Sequence, residues 1–305
     1  MSTKVGGFLA GGIAACGAVT MTHPFETVKT RLQLQGELAA KSETKHLYTG
    51  VFQGVRVIVA NEGLRGLFAG LGAAYCYQTL INGCRLGFYE PIRVLITNAT
   101  HGNSTVQHPL VNLSAGASSG VLGAAIGSPF FLVKTRLQSY SPFLPVGTQH
   151  KYKNSIHGFR SIWDQEGLKG VYRGVGAAMV RTGFGSSVQL PTYYFAKSRL
   201  EKDTGMDPNS PTTHLASSAI SGFAVCCVMH PPDTVMSRMY NQTGNLYSGI
   251  WDCLSKTIRT EGLLAVYKGY FAHLARILPH TILMLTFAEQ TNKIAQRMEQ
   301  RFFLD

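Results

Sequence analysis

The sequence predicts an all-α membrane protein: six transmembrane helices, built as three repeats of about 100 residues around a central cavity, with three short helices at one end. Three observations predict it. A proline-led stretch recurs at near-equal spacing. A second stretch, marked by tyrosine and glycine, recurs behind it. Long apolar runs flank both, in a chain poor in charge.

The first stretch is Pro24-Phe25-Glu26-Thr27-Val28-Lys29-Thr30-Arg31-Leu32-Gln33. It returns as Pro129-Phe130-Phe131-Leu132-Val133-Lys134-Thr135-Arg136-Leu137-Gln138. A third, altered copy is Pro231-Pro232-Asp233-Thr234-Val235-Met236-Ser237-Arg238-Met239-Tyr240. The prolines stand 105 and 102 residues apart, and a period of that size decides the architecture. Proline inside a helix removes a hydrogen bond and kinks it. Acid and base lie three residues apart, on one helix face. A local surface pair would explain a single copy. Recurrence beneath an apolar run favours the acid of one repeat meeting the base of the next, around a ring.

The second stretch reads Tyr48-Thr49-Gly50, Glu62-Gly63, Phe68-Ala69-Gly70. Its copies are Tyr152, Glu166-Gly167, Tyr172-Arg173-Gly174 and Tyr247-Ser248-Gly249, Glu261-Gly262, Tyr267-Lys268-Gly269. Each repeat (1–100, 101–205, 206–305) is therefore a long kinked helix, a loop, a short amphipathic helix and a second long helix. The spans run at about 5–35, 71–98, 108–139, 175–202, 212–242 and 270–301, with short helices near 52–60, 155–164 and 250–259. Polar linkers at 99–107 and 203–211 separate the repeats. Every span is long enough for a core of about 30 Å. Two spans per repeat put both termini on one side.

Composition agrees. The 305 residues are 45% hydrophobic, yet mean hydropathy is only +0.06. That suits helices facing lipid on one side and a watery cavity on the other. Charged residues are 14%, against about 25% in soluble domains. Net charge is +12. No basic run is interleaved with stacking aromatics, so nucleic acid is not expected; anionic lipid and an anionic substrate are. Cys16, Cys76, Cys84, Cys226, Cys227 and Cys253 form no Cys-x-x-Cys pair and read as small packing residues. Sequons at Asn98, Asn103, Asn112 and Asn241 are expected to be bare. Neither a secretory signal nor a cleavable Arg-rich presequence is seen at the N-terminus. No phosphate loop, His-x-x-x-His motif or nucleophile elbow suggests an enzyme.

Gly116, Gly120, Gly123 and Gly127 set Gly-x-x-x-Gly spacings in the third span, a close-packing signal. Seven, eleven and fifteen residues past Gly70, Gly174 and Gly269 stand Tyr77, Arg181 and Arg276, then Ile81, Gly185 and His280, then Arg85, Gln189 and Met284. Steps of four keep each trio near one face. Arginine at this depth is costly unless it faces water or a partner, and no nearby acid is expected to neutralise all three. Pairing with backbone carbonyls or snorkelling is the alternative. A cationic site for a small dianion is the stronger reading, since two arginines can fork two carboxylates.

The doubled signature, three linked copies across essentially the whole chain, resembles the mitochondrial carrier family. Leu86-Gly87-Phe88-Tyr89-Glu90-Pro91-Ile92-Arg93, the run from Ser128 to Ser141, the run from Arg181 to Pro191 and Tyr240-Asn241-Gln242 are most similar to that family's fungal oxaloacetate carriers. The resemblance implies a matrix-side ring pairing Glu26 with Lys134 and Asp233 with Lys29. Phe131 and Met236 replace the third pair, and Gln33, Gln138 and Tyr240 stand at the glutamine-brace positions beneath. It implies a cytoplasmic-side ring pairing Glu90 with Lys197 and Glu289 with Arg93, leaving Tyr194 and Asn292 uncharged. Both rings thus lose the bridge between repeats 2 and 3. The substrate contact points would be Arg85 and Tyr77, Arg181-Thr182, and Arg276, with Gln78 and Gln189 free for a keto or hydroxyl oxygen. His280 follows Pro279 and reads as packed core or, facing the cavity, as a proton-coupling group.

Further implications are bound cardiolipin at Gly50, Gly174, Gly249 and Gly269, no other cofactor or metal, and a monomer in the mitochondrial inner membrane with both termini in the intermembrane space. Ala69 departs from the basic position of the lipid motif. The implied activity is transport of oxaloacetate, malonate, sulfate, thiosulfate or isopropylmalate by alternating access, with protons. The alternatives are exchange of another dicarboxylate or keto acid, and a fatty-acid-dependent proton leak.

Overall fold

The structure, a computed structural model, describes residues 4–38, 47–101, 109–205, 207, 210–280, 282–283, 287 and 290–291. All regular structure among them is helical. The long helices are α1 (Lys4–Leu34), α3 (Leu71–His101), α4 (Pro109–Ser139), α6 (Val175–Thr204) and α7 (Pro211–Asn241). The short ones are α2 (Val51–Leu67), α5 (Ser155–Val171) and α8 (Ile250–Glu261), the last followed by a 3-10 turn, Leu263–Tyr267. α9 is helical over 270–280.

Local chemistry sets the ends. The Ser210 side chain caps α7 by accepting from the Thr212 amide, with Pro211 in the first turn. The Asn154 side chain does the same for α5 from the His157 amide. α6 stops at Gly205, whose φ of 65° suits glycine. The short helices run past the expected 60, 164 and 259. α2 and α5 are broken by left-handed glycines at Gly63 (φ 70°) and Gly167 (φ 62°), and α8 ends at Gly262 (φ 90°). The Glu before each glycine is thereby turned inward.

Pro24, Pro129 and Pro231 lie inside α1, α4 and α7, and each of these helices packs on the other two. α3 lies between α1 and α4, and α6 between α4 and α7. The repeats are joined cyclically. A Cβ added to Gly70 would meet the Lys134 carbonyl oxygen at 3.0 Å, and one on Gly269 would meet the Lys29 carbonyl oxygen at 3.1 Å. One on Gly174 would meet the Tyr240 ring at 3.0 Å. Each closing glycine therefore abuts the proline-led stretch of the following repeat. The 30-residue stretches Leu110–Ser139 and Thr212–Asn241 are long and apolar enough to cross a membrane. All six cysteines are free.

Candidate substrate cavity and gates

Where α1, α4 and α7 meet, Glu26 Oε1 accepts from Lys134 Nζ at 2.6 Å, and Asp233 pairs with Lys29. All four side chains are buried. On the third side Phe131 and Met236 lie in one apolar cluster with Tyr240. The Phe131 ring is 5.5 Å from the Tyr240 ring and edge-on to Tyr77 at 4.9 Å, with Lys134 Nζ 4.4 Å from its centre. Charge lost in both partners is thus replaced by packed apolar surface.

The three brace positions differ among themselves. Gln33 Nε2 donates to Asp233 Oδ2 at 2.8 Å, and its Oε1 accepts from Ser237 at 2.8 Å. Gln138 does not touch the Glu26–Lys134 pair. Its Oε1 accepts from Thr30 at 3.1 Å and its Nε2 lies 3.3 Å from His23 Nε2, so His23 and Thr27 separate it from the bridge. The Tyr240 hydroxyl meets Ser128 at 2.8 Å, where no bridge exists to be braced.

Sequence reasoning assigned no role to a deeper layer. Arg31, Arg136 and Arg238 are fully buried. They pair with Glu62 (2.5 Å), Glu166 (2.7 Å) and Glu261 (2.5 Å) of their own repeats. Each Nε also donates to a carbonyl of the next repeat: Gln138 at 3.0 Å, Tyr240 at 3.1 Å and Gln33 at 3.4 Å. Burial raises the Glu261 carboxyl, but hydrogen bonds and charge from Arg238, with Lys268, hold it below the usual range. The signal was present: this arginine and this glutamate recur in all three copies.

Above the ring lies a cavity of about 200 Å³. Tyr77, Gln78, Arg85, Arg181, Arg276 and His280 line it, with Glu26, Lys134 and Phe131. The α4 glycines seat the α3 face. A Cβ on Gly127 would fall 2.9 Å from the Tyr77 ring, one on Gly123 3.1 Å from the Ile81 carbonyl oxygen, and one on Gly120 3.4 Å from Arg85 Nε. Asn82 also lines the cavity, one residue past the expected α3 face.

Several expectations are corrected. Thr182 is not on the wall, because its hydroxyl turns back to the Ala178 carbonyl at 2.9 Å. Gln189 is exposed and off the wall; its carbonyl accepts from Ser221 across the α6–α7 contact. Two of the three arginines have an acid partner, and Arg85 has none among the described residues. Arg276 donates to Glu26 Oε1 at 2.8 Å, and Arg181 Nε donates to Asp233 Oδ1 at 2.5 Å. Both acids of the ring are short enough in reach and close enough in depth to hold a cavity arginine as well as a lysine. His280 faces the cavity, with Nδ1 3.3 Å from the Thr22 hydroxyl. Next to Asp233, His230 Nδ1 lies 3.1 Å from His273 Nδ1.

Among the described residues, the expected Glu90–Lys197 pair of the second ring is absent. Glu90 bonds Arg93 on its own helix at 2.5 Å, where Lys197 was expected. The i,i+3 spacing makes that partner available locally, and α4 stands between α3 and α6. The Glu90 side chain is 59% exposed. Tyr194 is also exposed. Glu289, Asn292 and Met284 lie outside the described residues.

At the short-helix end, a cavity of about 500 Å³ is lined by Thr49, Gly50 and Val51 at the start of α2 and by Tyr267, Gly269 and Tyr270. A second, of about 650 Å³, opens between Gly70-Leu71-Gly72 and Lys153-Asn154-Ser155. It lies in the copy whose motif carries Ala69, with Lys153 supplying a cation from the next repeat. Gly174 and Gly249 start α6 and α8, where Gly176 approaches Ile250.

Comparison with known proteins gives the family. The family model described as mitochondrial carrier protein matches residues 2–100, 105–204 and 207–299. The chain is 69% identical over 305 residues to the mitochondrial citrate transporter E of Aspergillus niger, covering 100% of this chain and 98% of that protein. It is 52% identical over 297 residues to the mitochondrial oxaloacetate transport protein of Schizosaccharomyces pombe (97% and 92% covered). It is 51% identical over 302 residues to the protein of that name in Saccharomyces cerevisiae (98% and 92%). The chain belongs to the mitochondrial carrier family, whose members are transporters.

Proposed function

We propose that the chain carries small dicarboxylate anions, oxaloacetate first among them, across the mitochondrial inner membrane by alternating access. The observation that carries this is the single cavity in which Arg85, Arg181 and Arg276 converge. Guanidinium groups suit carboxylates because each offers a planar fork of donors, and a cluster of them repels cations. Gln78 and Asn82 on the same wall supply neutral donors for a keto or hydroxyl oxygen. Malonate, sulfate, thiosulfate and isopropylmalate share the charge and belong to the same reading. His280, facing the cavity, is the group through which a proton would accompany the anion.

A second reading has its own support. Arg85 has no acid partner among the described residues. A third carboxylate would engage it, and the relative at 69% identity is named a citrate transporter. A tricarboxylate such as citrate is therefore the competing substrate.

Helices of 30–31 residues reach about 45 Å at 1.5 Å per residue, enough to cross the bilayer. The short helices lie on the matrix side and both termini in the intermembrane space. Phe52, Ile156 and Trp251 occupy the same place in α2, α5 and α8 and are 86%, 81% and 80% exposed, which suits contact with lipid. Cardiolipin phosphates fit the helix starts at Gly50, Gly174, Gly249 and Gly269. One chain encloses the cavity, so a monomer suffices.

The test is uptake of labelled oxaloacetate, malonate, sulfate and citrate into liposomes carrying the purified protein. Saturable dicarboxylate uptake abolished by Arg181→Ala or Arg276→Ala is expected. Uptake of citrate alone moves the assignment to the tricarboxylate. No uptake of any anion by folded protein overturns the substrate class and puts the proton-leak reading ahead.

A further inference from the structure

The residues just before the three kink prolines are His23, Ser128 and His230. Two of them find partners for their polar atoms. Ser128 shares a hydrogen bond with the Tyr240 hydroxyl at 2.8 Å. His230 Nε2 lies 2.9 Å from the Lys268 carbonyl oxygen, and its Nδ1 lies 3.1 Å from His273 Nδ1. His23 repeats only the first of these contacts, with Nε2 2.9 Å from the Ala69 carbonyl oxygen. A carbonyl only accepts, so Nε2 carries the hydrogen and Nδ1 of the neutral ring is a bare acceptor. The longer approach of Gln138 Nε2 to the same nitrogen, 3.3 Å, does not displace that bond. In repeat 3 the donor for such an acceptor is His273, four residues past Gly269; four residues past Gly70 stands Ala74. His23 Nδ1 is therefore buried without a partner among the described residues, in a side chain with no exposed surface.

Opposite this nitrogen, at 3.9 Å, stands Glu26 Oε2. It is the oxygen Glu26 leaves over, since Oε1 takes both Lys134 (2.6 Å) and Arg276 (2.8 Å). Two acceptors thus face each other with no hydrogen between them, and a buried acceptor without a donor is costly. One proton on Nδ1 satisfies both atoms and makes a charge-assisted pair. The neighbours oppose that proton while the cavity is empty. α1 brings Glu26, α4 brings Lys134, and α9 brings Arg276, with His280 at the adjoining Thr22. α3 brings Tyr77 on the cavity wall, and Phe68 stacks on the His23 ring. A protonated His23 would join two cations that already face one carboxylate. A dianion in the cavity, whose wall includes Glu26, Lys134, Arg276 and His280, reverses that balance.

We propose that His23 is where the proton accompanying the anion comes to rest: the bound dianion and a proton bridging His23 Nδ1 and Glu26 Oε2 favour each other. This rests on the dicarboxylate reading above, in which His280 stands at the cavity face, and it says where the proton ends. The proton comes from cavity water, Nε2 keeps its own hydrogen on the Ala69 carbonyl, and the proton returns to water when the anion leaves. The coupling is reciprocal. Anion binding draws in one proton, and lower pH tightens anion binding.

The readout is the pH dependence of affinity. Malonate is titrated into the full-length protein in detergent between pH 8 and 6.5. Its own protonation is common to all variants, so the slopes are compared between them. One proton taken up per anion corresponds to about tenfold in affinity per pH unit, and wild type should bind more tightly as pH falls, up to that slope. His23→Gln keeps a side-chain N–H for the Ala69 carbonyl but has nothing to protonate, and should lose the slope. His280→Gln, whatever it does to the affinity itself, should keep it. Glu26→Gln removes the far half of the bridge, should also lose the slope, and decides the matter if His23→Gln does not fold. A merely structural His23 would lower the melting temperature when replaced and leave the slope in place. If folded His23→Gln, or failing it Glu26→Gln, keeps the wild-type slope, or if wild type shows none, the inference is overturned while the dicarboxylate reading stands. If folded wild type binds no malonate, the dicarboxylate reading falls and the inference with it.

Discussion

His150 sits in the loop between α4 and α5, outside the long helices, with its Nε2 donating to the Asn241 carbonyl at 2.9 Å. Its ring stacks on Tyr152. Burial, and then the Arg136 charge, push its pKa down to about 4, from an ordinary value near 6.5. The folded pKa is depressed, so the fold favours the neutral ring. That stability is fully present above about pH 6.5 and is lost progressively as pH falls towards 4. At about 1.4 kcal/mol per pH unit the loss is about 3 kcal/mol. Thermal melts of wild type and His150→Gln between pH 8 and 4.5 check it, in a range where carboxylates contribute little. The variant should lose less stability on acidification. Equal slopes would rule His150 out as the sensor. Residues of this kind were not legible beforehand, because a loop histidine has no pattern and its partner is 91 positions away. Thr182 and Gln189 were misplaced for a related reason. Spacing gives the face of a helix, but a hydroxyl can satisfy its own helix, and the α6–α7 contact takes up the Gln189 backbone while its side chain faces outward.

At the scale of elements, the recurring glycines do two different jobs. Gly167 has a φ of 62°, and a Cβ there would meet nothing within 4 Å. Gly70 has a φ of 78°, and a Cβ there would press on the Lys134 backbone, 3.0 Å from its carbonyl oxygen. Both need the left-handed region, which costs an L-residue about 1–2 kcal/mol. Gly70→Ala must in addition push two repeats apart at the ring. Gly167→Ala is expected to cost about 1 kcal/mol and Gly70→Ala about 3 kcal/mol or more. Denaturant melts of the two variants measure the difference; equal costs would show that Gly70 is kept for its φ alone. The helical elements themselves were legible because proline, Glu-Gly and aromatic-x-Gly recur in register. The ends of α2 and α5 were less so. Each Glu is drawn inward by an arginine 30 or 31 residues earlier, and periodicity within the short helix carries no trace of that pull.

Taken whole, the molecule has threefold topology and twofold charge. Repeats 1 and 2, and repeats 3 and 1, meet through ion pairs; repeats 2 and 3 meet through Phe131, Met236 and Tyr240. The pairing order was readable from the sequence, since charge is missing from both members of one pair and from neither member of the others. The partner that Glu90 takes was not readable, because Arg93, three residues on, is available as well as Lys197. The two kinds of side respond differently to an anion. An ionic side can exchange partners with a charged ligand, whereas an apolar side offers nothing to exchange and resists opening only through the water its separation would admit, about 25 cal/mol per Å² of apolar surface. On the proposed transport reading, the apolar side would set a weak closure that no substrate has to unlock. Phe131→Asp combined with Met236→Lys adds a third ion pair, beside a Lys134 ammonium already 4.4 Å from the Phe131 ring centre. Such a pair, once formed and hydrogen-bonded, is costly to break. Initial uptake rates in liposomes should fall about tenfold, equivalent to about 1.4 kcal/mol on the opening step, with the melting temperature of the double variant reporting that it is folded. Turnover equal to wild type in folded protein would mean that the third side is not part of the barrier, and that opening is governed by the two ionic sides alone.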